Sequence, residues 1–288
     1  MMNDNKRVGV LGAGLMGSGI VEVCARSGCD VISYEVSPEA SAAGRKRVEA
    51  SLGKALAKGK ITEAEHAETL GRIRYTSDLD DLADRQLTFE AVIEREDIKL
   101  DLFSRLDKIV TDPEAVLSSN TSSIPIMKLA MATSRPDRVI GVHFFNPAPV
   151  QPLVELVPSL LTSDETAAAA DGFAAQVLGK TVIRSQDRAG FIVNSLLVPY
   201  ILSAIRMYDS GFASVEDIDR GMELGCAHPM GPLKLADLIG LDTIQAISEA
   251  MYEEFKEPLH YAPPVLLRMV QAGLLGRKSG RGFYDYSR

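Results

Sequence analysis

A histidine and a glutamate in two neighbouring apolar segments have side chains that could together move a proton. His143 ends the apolar segment 139–143, and Glu155 lies 12 residues later within the apolar segment 152–157. A carboxylate flanked by valine and leucine needs a partner, because an isolated charge is costly to bury. An imidazole is suitable, since a carboxylate on one ring nitrogen fixes the tautomer and supports proton uptake at the other. The pair could deprotonate a secondary alcohol while hydride leaves its carbon; in the structural alternative, the histidine only ends a strand.

A glycine-rich turn near the N-terminus has the pattern of a dinucleotide-binding loop. Its glycines, Gly12, Gly14 and Gly17, follow an apolar strand pattern and open a helix pattern. The first glycine permits a tight turn, the second lets the backbone approach a pyrophosphate, and the third lets the helix pack on the strand. The residues predicted to hold a cofactor here are Gly12, Gly14, Leu15, Met16 and Gly17.

Glu35 completes this fingerprint, because it ends the next strand pattern 21 residues after Gly14. Its carboxylate can accept hydrogen bonds from ribose hydroxyls, whereas a 2′-phosphate there would meet a like charge. No arginine follows immediately to reverse this preference. The sequence therefore favours NAD as the cofactor and disfavours NADP without excluding it.

Two further groups of polar residues each allow two interpretations. The hydroxyl-rich segment 118–123 follows a strand pattern and could either cap a turn or hold a substrate carbonyl. Arg47, Ser51, Lys54 and Lys58 lie at steps of four, three and four residues, so one helical face carries them. That face could be simply solvated, or it could cradle the anionic tail of a ligand.

The elements that would position these residues alternate between strand and helix as far as about residue 187. This alternation predicts an α/β fold with a Rossmann-type, parallel, doubly wound sheet. The strand patterns cover residues 7–11, 30–35, 86–93, 115–118, 138–143, 153–157 and 181–184. Residues 38–71 read as an inserted helical hairpin, with a capping box at Thr62 and Glu65. Beyond residue 188 only helix patterns follow, so we predict an NAD-binding domain at 1–187 and an all-helical domain at 188–288.

The composition limits the classes of partner and site. The net charge is −8, which disfavours nucleic acid, because nucleic acids are held largely by lysine and arginine. No run of about 18 apolar residues occurs, and the first residues are polar, so we expect neither a membrane span nor a signal peptide. Three cysteines without a C-x-x-C motif argue against disulfides and zinc. We therefore predict a cytoplasmic protein without a metal site.

The chain resembles the short-chain 3-hydroxyacyl-CoA dehydrogenases, and among them the stand-alone bacterial 3-hydroxybutyryl-CoA dehydrogenases. The similarity extends from about Val8 to Tyr286. The motifs that carry it are residues 12–19, 90–94, 119–123, 141–147, 190–194, 228–232 and 278–284. Glu35 stands where the family more often has aspartate, and the extra methylene should still reach a ribose.

The resemblance implies a reversible, NAD-dependent oxidation of an (S)-3-hydroxyacyl-CoA to the 3-oxoacyl-CoA, as used in fatty acid and butanoate metabolism. It implies that His143 transfers the proton, that Glu155 orients it, and that Ser122 and Asn194 surround the reacting end of the substrate. The cofactor-side residues would be Glu94, Lys99, Asn120 and Lys278. The substrate-binding residues would be Ser51, Lys58, Ser122, Asn146 and Asn194. In this family the helical domain forms the interface of a homodimer.

Two other functions stay open at this point. The same scaffold could oxidise a free hydroxy acid or a sugar acid, although the basic helical face favours a CoA ester. A non-catalytic NAD-binding protein is a further alternative, and the presence of both His143 and Glu155 argues against it. The sequence leaves the acyl chain length and the physiological direction undetermined.

Overall fold

An eight-stranded sheet organises the first of the two units into which the chain divides. The computed structural model describes residues 6–287, and the division falls between Asp187 and Arg188. The strands are β1 (Arg7–Leu11), β2 (Asp30–Tyr34), β3 (Ile73–Thr76), β4 (Leu87–Glu90), β5 (Val116–Ser119), β6 (Val139–Phe144), β7 (Leu153–Pro158) and β8 (Thr181–Arg184). Their spatial order is β3-β2-β1-β4-β5-β6-β7-β8. The order reverses between β1 and β4, and sheets of this kind bind ligands at the carboxyl ends of the strands beside such a reversal.

Helices connect most of these strands. They are α1 (Leu15–Arg26), α2 (Pro38–Ala57), α3 (Glu63–Gly71), α4 (Glu96–Ile109), α5 (Ile126–Met131) and α6 (Asp164–Gly172), which a wider turn extends over Phe173–Val177. The predicted hairpin is formed by α2 and α3. The side chain of Ser37 accepts a hydrogen bond from the Ala40 N–H at the start of α2. The predicted capping box of Thr62 and Glu65 starts α3.

The core of the first unit lies beneath the strands that carry the candidate site. Val8 and Val10 of β1 and Ile20 of α1 are completely buried. The ring of Phe89 in β4 meets the ring of Phe144 in β6 edge-on, with centroids 5.6 Å apart. Because this packing holds β1, β4 and β6 together, it fixes the positions of the loops that follow them.

The second unit consists of helices. They are α7 (Val193–Asp209), α8 (Val215–Gly225), α9 (Pro232–Ile239), α10 (Leu241–Phe255) and α11 (Pro264–Gln271). Its own core is built mainly from leucine and isoleucine of the helices α7 to α11. Asp237 of α9 accepts hydrogen bonds from residues near the C-terminus: the N–H groups of Phe283 and Tyr284 and the Tyr286 hydroxyl. Over residues 6–287, no helix has the length and apolar character needed to cross a membrane.

The doubly wound sheet is confirmed, but β7 runs antiparallel to β6, whereas the sequence pattern predicts parallel strands. The patterns also fail to predict β3 and α5. Of these, β3 is a short edge strand without a buried residue, so it lacks an apolar signature. The six-residue α5 has no cap in its local sequence; Asp187, remote in sequence, accepts the N–H groups of Ile126 and Met127.

Candidate active site

His143 and Glu155 are direct cross-strand partners on β6 and β7. The imidazole Nδ1 lies 2.8 Å from the Glu155 Oε2. Glu155 is completely buried, and His143 is 7% exposed. The Phe145 ring meets the imidazole edge-on, with centroids 4.8 Å apart. The structure thus brings together the two side chains that the sequence paired.

This contact fixes which imidazole nitrogen can work as a base. An ionised carboxylate only accepts hydrogen bonds, so the hydrogen resides on Nδ1 and Nε2 becomes the basic nitrogen. When Nε2 takes up a proton, the buried Glu155 carboxylate balances the new positive charge at short distance. The arrangement is therefore that of a general base whose protonated form is stabilised.

The loop after β5 is tied to the end of β6 through Asn120. Its side-chain oxygen Oδ1 accepts the N–H of Phe144, the residue that follows His143, at 2.8 Å. Its own backbone N–H donates to the Glu90 carbonyl oxygen at 2.8 Å. Asn120, a predicted cofactor residue, thus also holds the β4, β5 and β6 strand ends in one arrangement.

A buried ion-pair network lies beside that loop. The Lys99 ammonium donates to both carboxylate oxygens of Glu90, at 2.8 and 2.9 Å, and pairs with Glu94 Oε2 at 2.9 Å. Lys99 and Glu90 are completely buried. Burial alone lowers the Lys99 pKa, but the two carboxylates outweigh burial and the pKa is raised above its usual value. Lys99 is therefore a fixed cation. Because its side chain is completely buried, it can influence a ligand only through the more exposed Glu94.

Glu94 links this network to the hydroxyl-rich loop. Its Oε1 accepts the Thr121 hydroxyl, the Ser123 hydroxyl at 2.8 Å and the Ser122 N–H at 3.2 Å. Burial raises the pKa of Glu94, but Lys99 and these hydroxyls lower it more, so it lies below its usual value. Glu94 consequently stays ionised and sets the position of the Ser122 backbone. Glu90 has no predicted role beyond its place in the motif 90–94. Its position in an apolar strand, like that of Glu155, is the signal that could have identified it.

The glycine turn has the geometry that a dinucleotide requires. Gly12 has a φ of +90°, and a Cβ there would lie 2.6 Å from the Ala91 carbonyl oxygen. A Cβ on Gly17 would collide with the Gly12 carbonyl. A Cβ on Gly14, in contrast, would meet no described atom within 4 Å. Close packing therefore explains Gly12 and Gly17, whereas Gly14 leaves open space where a pyrophosphate would approach.

The start of α1 and Glu35 complete that turn. Within the described residues, no side chain caps the N-terminus of α1, so its first amides are available to an anion. Glu35 Oε1 accepts the Ala13 N–H at 2.6 Å, which places its carboxylate at the glycine turn. Leu15 is exposed and Met16 partly buried. The residues present thus fit an NAD molecule.

A groove of about 840 Å³ lies between α1, the hairpin helix α2 and the loop after β6. Ser51, Lys58 and Asn146, the predicted substrate-binding residues of the first unit apart from Ser122, all line it. Arg47 and Lys54 line it as well, and Arg47 donates to the Ala13 carbonyl oxygen at 3.0 Å. The basic helical face therefore borders a cavity, and Arg47 links it to the glycine turn.

Asn194 and Lys278 belong to the second unit. Asn194 is the second residue of α7 and is partly buried. The Lys278 ammonium pairs with both oxygens of Asp242, at 2.5 and 2.7 Å. Their predicted roles toward substrate and cofactor stay predictions.

Comparisons with known proteins agree with this architecture. Two family models match: the NAD-binding domain of 3-hydroxyacyl-CoA dehydrogenase over residues 7–188, and its C-terminal domain over residues 190–286. A 3-hydroxybutyryl-CoA dehydrogenase of Mycobacterium tuberculosis is 59% identical over 281 residues, which cover 98% of each chain. The human mitochondrial hydroxyacyl-coenzyme A dehydrogenase is 42% identical, over 98% of this chain and 91% of the human protein.

Solved structures give the same result. The crystal structure of M. tuberculosis FadB2 has a TM-score of 0.97 and 58% identity, and covers 99% of this chain and 100% of that one. The (S)-3-hydroxybutyryl-CoA dehydrogenase PaaH1 of Ralstonia eutropha has a TM-score of 0.92 and 46% identity, with the same coverage of 99% and 100%.

Proposed function

The chain belongs to the 3-hydroxyacyl-CoA dehydrogenase family, and from this premise we propose the reaction and the residues that carry it. It is an NAD-dependent oxidoreductase that interconverts an (S)-3-hydroxyacyl-CoA and the corresponding 3-oxoacyl-CoA. The observation that carries the proposal is the buried contact between His143 and Glu155 at the carboxyl end of β6.

The proton and the hydride of the alcohol leave by different routes. His143 accepts the 3-hydroxyl proton at Nε2 as the carbon–oxygen bond becomes a carbonyl, and Glu155 stabilises the imidazolium. NAD, which the glycine turn and Glu35 would hold, would supply the acceptor for the hydride of carbon 3. In the reductive direction His143 returns the proton. Positioned acid–base groups of this kind contribute about 10²–10⁴-fold to the rate.

Other residues hold the reactants in place. Ser122, fixed by Glu94, and Asn194 bind the reacting end of the substrate, so that orientation supplies a further part of the acceleration. The cofactor is held by the glycine turn, by Glu35, and by Glu94 with Lys99 behind it. Asn120 and Lys278 complete the cofactor side.

The groove beside α2 supports a CoA ester over a free hydroxy acid. Lys54 and Lys58 place positive charge along a cavity that extends from the glycine turn, and CoA carries phosphates. A small free acid needs no such cavity. The relatives named 3-hydroxybutyryl-CoA dehydrogenases favour a short acyl chain.

The deciding experiment compares acetoacetyl-CoA with free acetoacetate as substrates for NADH oxidation. We expect rapid turnover of the CoA ester and little of the free acid. His143→Ala should lower kcat by about 10²–10⁴-fold and leave the NADH dissociation constant nearly unchanged, because His143 lies outside the glycine turn. Equal turnover of both substrates would contradict the recognition of CoA. Full activity of His143→Ala would contradict the role of His143 as the proton acceptor.

We also propose that two copies associate through the second unit and that the protein works in the cytoplasm. Leu196, Phe212 and Leu224 of the second unit are each more than 70% exposed, and their burial between two copies would remove apolar surface from water. Light scattering on the purified protein distinguishes a homodimer from a monomer, and cell fractionation tests the location.

A further inference from the structure

A buried carboxylate lies at the floor of the groove beside α2, and the proposed reaction does not use it. Glu22 is a residue of α1, and its side chain is 2% exposed. Its Oε1 lies 3.5 Å from a guanidinium nitrogen of Arg26, one turn later. Within residues 6–287, its Oε2 has no hydrogen-bond partner. Buried polar atoms are nearly always hydrogen-bonded, so this orphan acceptor needs an explanation.

The Ser51 hydroxyl and the Arg26 guanidinium both interact with the Glu22 carboxylate, but within residues 6–287 neither places a donor within hydrogen-bond distance of Oε2. Burial raises the pKa of the Glu22 carboxyl above the usual value, more than Ser51 and Arg26 lower it. The ionised form is therefore incompletely compensated by the protein alone. A hydrogen-bond donor from outside the chain would satisfy Oε2 and offset the desolvation that the folded protein leaves unbalanced.

The position of Glu22 in the groove indicates that the missing hydrogen-bond donor belongs to a ligand bound there. Ser51, Lys58 and Asn146, three of the five predicted substrate-binding residues, line the same groove as Glu22. Its basic side chains attract phosphates, whereas a carboxylate at its floor repels them. The part of a ligand that passes Glu22 must therefore be an uncharged donor and not a phosphate.

We propose that Glu22 positions the acyl-CoA by accepting, at Oε2, a hydrogen bond from an N–H group of the CoA moiety. This inference rests on the proposed function, which places CoA in the groove. Two parts of CoA carry such donors: the amides of the pantetheine arm and the amino group of the adenine. Glu22 thus recognises an uncharged part of CoA, while the lysines of the groove attract its phosphates.

The test compares Glu22→Met, which removes both acceptor oxygens at similar volume, with Glu22→Gln, which keeps one carbonyl oxygen. We expect Glu22→Met to raise the KM for acetoacetyl-CoA about 10-fold, since hydrogen bonds to charged groups are among the stronger ones. The kcat and the KM for NADH should stay near the wild-type values, and Glu22→Gln should recover most of the loss. Glu49→Met is the matched control, because Glu49 is on α2 but does not line the groove.

Truncated substrates identify the donor. If the adenine amino group donates, the difference between Glu22→Met and wild type disappears with acetoacetyl-pantetheine. If a pantetheine amide donates, the difference persists with that substrate. Either result supports the proposal.

An unchanged KM for acetoacetyl-CoA in a folded Glu22→Met variant would overturn the inference. So would parallel changes in kcat and in the KM for NADH, because they indicate a structural role only. Calorimetric titration of wild type with CoA separates these failures from a failure of the proposed function. A wild-type protein that neither binds CoA nor reduces acetoacetyl-CoA would refute the function itself.

Discussion

Replacing Glu155 by glutamine tests how much of the chemistry depends on the buried charge behind His143. Glutamine has nearly the same shape, so the strand pairing of β6 and β7 should survive. The lost quantity is the charge assistance of the Nδ1–Oε2 contact, which is 2.8 Å long and completely buried at Glu155. Hydrogen bonds to charged groups contribute about 1.5–3 kcal/mol. If that stabilisation is expressed mainly when His143 becomes an imidazolium, kcat should fall about 10–150-fold.

The assay is the steady-state reduction of acetoacetyl-CoA with NADH, followed at saturating cofactor. Glu155→Gln should lower kcat and kcat/KM by similar factors, because the lost interaction is stronger in the transition state than in the ground state. The KM for NADH serves as the internal control, since Glu155 lies outside the glycine turn. A variant that folds and turns over at the wild-type rate would refute the role assigned to this pair.

Three further substitutions test the cofactor site and its support. Gly14→Ala should preserve the fold, because a Cβ there meets no described atom within 4 Å, but it should raise the NADH dissociation constant. Gly17→Ala should instead destabilise the turn, because its Cβ would collide with the Gly12 carbonyl. Fluorescence titration measures NADH binding and thermal unfolding measures stability, and equal effects of the two variants on both readouts would contradict the assignment. Lys99→Met should lower the free energy of unfolding by about 3–5 kcal/mol, because it leaves Glu90 buried without its cation. Denaturant titration measures this change. An unchanged midpoint would contradict the view that Glu90 depends on Lys99.

The sequence was sufficient to predict the glycine turn and the contact between His143 and Glu155. Both depend on local patterns: glycines between a strand and a helix, and a carboxylate inside an apolar strand. The direction of β7 was predicted wrongly, although the signal existed. Only residues 145–152 connect β6 to β7, and a parallel crossover needs about a dozen or more. The antiparallel direction is what sets His143 directly opposite Glu155.

The network around Lys99 could not be predicted from local patterns. Lysine on an amphipathic helix is normally solvated, and nothing in the sequence near Lys99 indicates that its ammonium meets Glu90 inside the fold. Its burial depends on how α4 packs against β4, which is a tertiary property. The unsatisfied oxygen of Glu22 is of the same kind, because it depends on the groove that α1 and α2 form together.

Three buried carboxylates of the first unit, Glu22, Glu90 and Glu155, have different partners, and the partner determines what each can do. Glu90 is paired with Lys99, whose raised pKa keeps the ammonium charged, so Glu90 holds the lysine in place and takes no part in proton transfer. Glu22 faces Arg26, which is also permanently charged, and its second oxygen has no partner among residues 6–287, which leaves it for a ligand. Glu155 alone of the three is paired with an imidazole, the side chain that most often serves as a general acid or base. We therefore assign the proposed proton transfer to the β6–β7 contact, whereas Glu90 supports the fold and Glu22 serves the proposed recognition of CoA.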